Sequence, residues 1–117
     1  MAKTIFLFYT VCRDAEREQE LGDWYDAIHI PDVESIPGFS SCIRYRLTDE
    51  QLVNDPESQQ IDASYLSIVE AELDQEEAKS RLAEAIKDWH ERGRMTDLFQ
   101  VVSSSIIVES NPSQLSG

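Results

Sequence analysis

Near the N-terminus, Thr4-Ile5-Phe6-Leu7-Phe8-Tyr9-Thr10-Val11-Cys12 form an almost unbroken apolar, β-favouring run. A strand with one wet face alternates polar with apolar residues, so this run reads as a central strand covered on both faces. Something must supply two covers. The chain has only 117 residues, enough for one compact domain and one core.

The first cover is easy to find. Asp14 can cap a helix that carries Leu21, Trp24, Tyr25 and Ile28 on one face, and Pro31 is expected to end its regular ladder near His29 by removing a donor. Ile30, Val33 and Ile36 fit a short further turn, after which Pro37-Gly38 reverses the chain into a strand from Phe39 to Leu47. Strict alternation puts Phe39, Ser41, Ile43, Tyr45 and Leu47 on a core-like face. Ser40, Cys42, Arg44 and Arg46 fall on the other.

Residues 48–61 have the composition of a solvated connection. Ala63 to Leu73 resumes a β pattern. Asp74 followed by Glu77 starts a second helix with Ala78, Leu82, Ala85, Ile86 and Trp89 on one stripe, and Gly93 closes it. Phe99 to Val108 is a last strand interrupted by Ser103-Ser104-Ser105, and residues 111–117 read as a C-terminal tail. Residues 1–110 are then one domain.

The order βαββαβ predicts an α+β, ferredoxin-like fold: a four-stranded antiparallel sheet with two main helices on one face. That leaves the opposite face bare. The economical second cover in so short a chain is another copy of the same sheet, so a homodimer is predicted.

Twenty-three acidic against ten basic side chains give a net charge of −13, which repels phosphate backbones and anionic membrane surfaces. Nucleic-acid and membrane partners are disfavoured. No apolar run approaches the roughly twenty residues that span a bilayer, and no signal-peptide pattern opens the sequence, so a cytoplasmic protein is expected. Cys12 and Cys42 form neither a CxxC pair nor a zinc spacing, and no Gly-rich phosphate loop or GxSxG elbow is present. No metal or cofactor is implied.

Trp24-Tyr25-Asp26, His29-Ile30-Pro31-Asp32-Val33, Pro37-Gly38-Phe39 and Arg44-Tyr45-Arg46 together resemble the EthD-like branch of the dimeric α/β-barrel superfamily. The motifs cover roughly the first half of the chain; the second half agrees in element order. The resemblance implies a ferredoxin-like protomer whose sheet pairs with its mate into a barrel, with ligand pockets between sheet and helices or inside the barrel. Its chemistry stays open. The superfamily holds cofactor-independent monooxygenases acting on aromatic polyketides, polyketide cyclases and dehydratases, a lactone isomerase and haem-dependent enzymes.

Among the residues themselves, His29 titrates near neutral pH, and a helix ending there would favour its protonated form. It is the candidate general acid or base. Asp26 and Asp32 stand three residues to either side, placed to orient an imidazole nitrogen, with Asp32 taken as the catalytic partner. Tyr9, Trp24, Tyr25 and Arg44 are candidate substrate-binding residues: a phenol, an aromatic wall and a guanidinium for a carboxylate or enolate. Each also has a plain structural role, in packing, turn anchoring or ion pairing.

Two functions fit. One is a cofactor-independent enzyme, a dehydratase, cyclase, isomerase or monooxygenase, acting on a small aromatic or carbonyl compound through His29. The other is a non-catalytic dimeric ligand-binding or accessory protein. They differ in whether the His29 imidazole looks into a cavity or into the protein.

Overall fold

The computed structural model describes residues 2–53, 55–57 and 61–109; the tail at 111–117 and part of the 48–61 connection lie outside the described residues. Four strands, β1 (Thr4–Cys12), β2 (Phe39–Arg46), β3 (Tyr65–Ala71) and β4 (Phe99–Val108), pair antiparallel in the order β2-β3-β1-β4. The expected ferredoxin-like sheet is present. β1 is indeed interior, with Phe6 paired to Val69 on one side and Ile106 on the other.

Alternation along β1 sends Thr4, Phe6, Phe8 and Thr10 toward the helices and Ile5, Leu7, Tyr9 and Val11 away from them. Phe6 joins Tyr25, Val33, Phe39, Val69 and Trp89 in one core between sheet and helices. The far face carries apolar side chains that nothing among the described residues covers. Ile43 and Tyr45, for example, stay about half exposed, at 47% and 48%.

Pro31 does not stop the first helix. Helix α1 (Glu18–Trp24) passes through a π turn (Tyr25–His29) directly into α2 (Ile30–Glu34), with the Ile30 N–H donating to the Tyr25 carbonyl. A proline ring in a regular ladder would strike the carbonyl four residues back and leave it without a donor. Widening the turn just before Pro31 accommodates both defects and keeps the chain helical. Upstream, the Asp14 carboxylate accepts from the Glu16 N–H at 3.0 Å, as its capping role requires, although the first turn is 3₁₀.

The β2 faces also differ from strict alternation. Phe39 pairs with Ala71 but Ser41 with Glu70, so Ser40 is an extra, bulged residue. One inserted residue reverses every side chain that follows. Cys42 and Arg44 therefore share the helix side with Phe39, while Ser41, Ile43 and Tyr45 face outward. The expectation that Arg44 and Arg46 lie opposite Phe39 is corrected by this bulge.

The reversal into β2 needs its glycine. Gly38 has φ +91°, and a Cβ there would meet the Leu73 side chain at 2.7 Å. Helix α3 (Gln75–Glu91) begins as predicted, with Asp74 accepting from the Glu77 N–H at 2.9 Å. It ends at Gly93, φ +68°, with the Arg94 N–H returning to the Trp89 carbonyl at 2.8 Å. β4 runs through its serines with a bulge between the partners of Tyr9 and Thr10. Cys12 and Cys42 are free thiols on strands that are not neighbours.

Candidate functional site

A cavity of about 550 Å³ lies between the helix side of the sheet and the helices. The π turn aims two of its residues there. Tyr25 and His29, four apart on the widened helix, both line it, their ring centroids 5.0 Å from each other. Ser67 on β3, Phe99 on β4 and Trp89 on α3 complete the wall around them.

His29 sits in an aromatic cage. Its imidazole stacks on Trp24 at 4.7 Å and meets Trp89 edge-on at 5.4 Å, with Phe99 also at 5.4 Å. Burial in that setting lowers its pKa from the ordinary 6.5 to about 4, with the nearby Asp32 carboxylate pulling weakly the other way. The ring is uncharged at neutral pH. The helix-end dipole expected to favour the charged form is missing here because the helix continues through Pro31.

Asp32 makes a different bond from the one anticipated. Both of its oxygens accept from Arg94, from Nε at 2.6 Å and Nη2 at 2.9 Å. The Arg94 carbonyl in turn accepts the Trp24 indole N–H at 2.8 Å, so the residue stacked behind His29 is tied to the same segment as Asp32. Asp32 acts on the imidazole through space. Asp26 points outward and is exposed.

Tyr25 is 1% exposed, and its hydroxyl hydrogen-bonds the Ser67 hydroxyl, itself 2% exposed. The Cys42 thiol lies 3.7 Å from the same phenol oxygen. Burial holds the Tyr25 phenol well above its usual range, and burial likewise raises the Cys42 thiol, so both keep their protons. Arg44 is outside the cavity lining; its guanidinium stacks 3.7 Å above the Tyr65 ring and 5.2 Å from the Tyr25 ring. Tyr9 lies across the sheet from the cavity, because odd positions of β1 face away from the helices.

The structure thus brings His29, Tyr25 and, one layer back, Trp24 together at one cavity. Ser67, Trp89 and Phe99 escaped the sequence reading. Ser67 did leave a signal: a hydroxyl at a core-facing position of a strand, in period with Val69 and Ala71, has to bond something. Trp89 looked like one more apolar residue of a helix stripe, and nothing in sequence joins it to His29. Arg13, His90 and Asp97, all exposed, add polar groups to the lining.

This is a ferredoxin-like domain with a ligand-sized, largely apolar cavity between sheet and helices. The same fold is found in HapK from Hahella chejuensis, with TM-score 0.58 and 10% identity over 92% of each chain. An ethyl tert-butyl ether D (EthD) family protein from Bacillus halodurans is also similar, with TM-score 0.54, 18% identity, 94% of this chain and 100% of that one. The fold implied by the EthD-like resemblance of the first half is therefore the fold observed. No family model matches the sequence, and no curated protein matches it. Among the described residues, no helix is long and apolar enough to cross a membrane.

Proposed function

We propose that the chain is a cofactor-independent enzyme of the EthD-like class, acting on a small aromatic or carbonyl compound with His29 as its proton-transfer residue. The observation that carries this is an uncharged imidazole in a cavity wall, with no ring nitrogen hydrogen-bonded to protein among the described residues. A histidine that merely anchors a turn would spend its nitrogens on carbonyls. This one has a lone pair to offer.

An imidazole with a pKa near 4 is a weak base in isolation. It gains strength when a negative charge forms beside it, because the imidazolium and the new anion stabilise each other in a partly buried, largely apolar site. Asp32, held by Arg94, adds a fixed negative charge in the same direction. Proton abstraction next to a carbonyl, followed by return of the proton elsewhere, fits dehydration, isomerisation or cyclisation.

The bare sheet face supports a homodimer, the mate's sheet covering Leu7, Ile43 and Ile68, which lie side by side across three strands. The remaining parts of this reading are a single domain over residues 1–110 and a cytoplasmic setting.

Deuterium exchange tests the base without knowledge of the natural substrate. β-Tetralone in D2O, followed by proton NMR, should lose its α-protons faster with the protein than with buffer alone. His29→Ala should slow the protein-dependent rate by about a hundred-fold or more. Below about pH 4 the rate should fall as the ring protonates. Equal rates for the wild type and His29→Ala would leave the accessory, ligand-binding reading in its place.

A further inference from the structure

We propose that the Tyr25–Ser67 hydroxyl pair is the carbonyl-binding element of the cavity, so that the substrate is an enolisable aromatic ketone whose oxygen is held by this pair while its α-carbon faces His29. The proposal rests on His29 as the base and names what that base works on.

A proton count leads to it. Two hydroxyls carry two protons, and the bond between Tyr25 and Ser67 uses one. Whichever way that bond runs, one O–H is left to donate. Among the described residues the available neighbour of the phenol oxygen is the Cys42 thiol at 3.7 Å, a weak acceptor. A carbonyl oxygen in the cavity, which both residues line, would be a far better one.

The pair also brings little stability to a protein that does not use it. Replacing two buried, mutually bonded hydroxyls by apolar groups of the same shape is commonly neutral or stabilising. Here both residues belong to a lining that is largely apolar but also holds the polar Arg13, His90, Thr96 and Asp97. Outside the lining, the Arg44 guanidinium stands 5.2 Å from the Tyr25 ring, and its Nη2 is buried without a hydrogen-bond partner among the described residues. That cation favours negative charge building up on an oxygen bound by Tyr25.

The step balances without an oxidant. His29 takes the α-proton, the electron pair of the broken C–H bond forms a C=C bond, and the carbonyl π pair moves onto oxygen as an enolate held by the free O–H. The imidazolium then returns its proton, to another carbon in isomerisation or to a departing hydroxyl in dehydration. Trp89 and Phe99 supply flat surfaces for the ring of the ketone.

Comparing β-tetralone with tetralin, its hydrocarbon counterpart, isolates the carbonyl. Binding is read by the fluorescence of Trp24 and Trp89, the chain's two tryptophans, which both contact His29. Wild-type protein should bind the ketone about ten-fold more tightly than the hydrocarbon. The double variant Tyr25→Phe with Ser67→Ala should bind both equally, and its retained tetralin binding shows that the cavity is intact. Ser67→Ala alone leaves one free phenol and should keep part of the preference. A ratio near one in the wild type, or one unchanged in the double variant, overturns the proposal. If His29-dependent deuterium exchange persists in that case, the base stands and only the hydroxyl pair falls; if the preference disappears in the double variant but exchange never depended on His29, the pair stands as the carbonyl site and the base falls.

Discussion

The two faces of the sheet differ in what they cover and what they leave open. On the helix side Thr4, Thr10 and Ser67 are almost fully buried hydroxyls within the core layer. On the far side Ile43 and Tyr45 remain about half exposed and Leu7 and Ile68 are only partly shielded. A buried hydroxyl costs free energy unless it is bonded, and an uncovered apolar face costs free energy unless something covers it. The difference is what the two proposals rest on, a ligand on the helix side and a protein partner on the bare side.

The largest effect should come from charging the bare face. In Ile68→Glu, a symmetric dimer would bury two carboxylates without partners, costing several kcal/mol and weakening self-association by about a thousand-fold or more. Sedimentation should then give one chain mass, 13.4 kDa, where the wild type gives twice that. A wild type that stays monomeric at high concentration would remove the proposed partner.

Next comes the covered face. Trp89 is 4% exposed and closes the cage around His29, so Trp89→Ala should destabilise the fold by about 3–5 kcal/mol in urea unfolding. A much smaller loss would mean that this side is looser than its packing indicates.

Somewhat smaller is the acid sensitivity of the cage. The folded ring has its pKa near 4 against an ordinary 6.5, so the unfolded chain takes up this proton first as pH falls. The stability associated with a neutral ring is complete above about pH 6.5 and lost between about 6.5 and 4, by up to roughly 3 kcal/mol. His29→Phe should flatten that part of the stability curve relative to the wild type. Parallel curves would place His29 in a wetter setting than the cage allows.

Much of the architecture was readable because its signals are local. The apolar run of β1, the Asp74 cap with Glu77, and Pro37-Gly38 each state their own geometry within a few residues. Two readings went astray for a shared reason. At Pro31 and at Ser40 the chain absorbs a defect by changing its ladder, a π turn in one case and a bulge in the other, and neither change is marked by residue type. A one-residue change in register then moved Arg44 to the opposite face. The candidate site was half legible: His29, Trp24 and Tyr25 lie within one helical segment, whereas Ser67, Trp89 and Phe99 reach the same cavity from three other elements.

The sequence by itself determined the element order, the central place of β1, the acidic charge and the presence of a titratable imidazole beside aromatic residues. Only the tertiary structure decided that this imidazole is neutral, that Asp32 belongs to Arg94, and that Ser67 meets Tyr25. Periodicity and capping depend on neighbours in the chain, but burial and hydrogen-bond partners depend on neighbours in space. Here those partners lie 62 residues away for Asp32 and 42 for Tyr25.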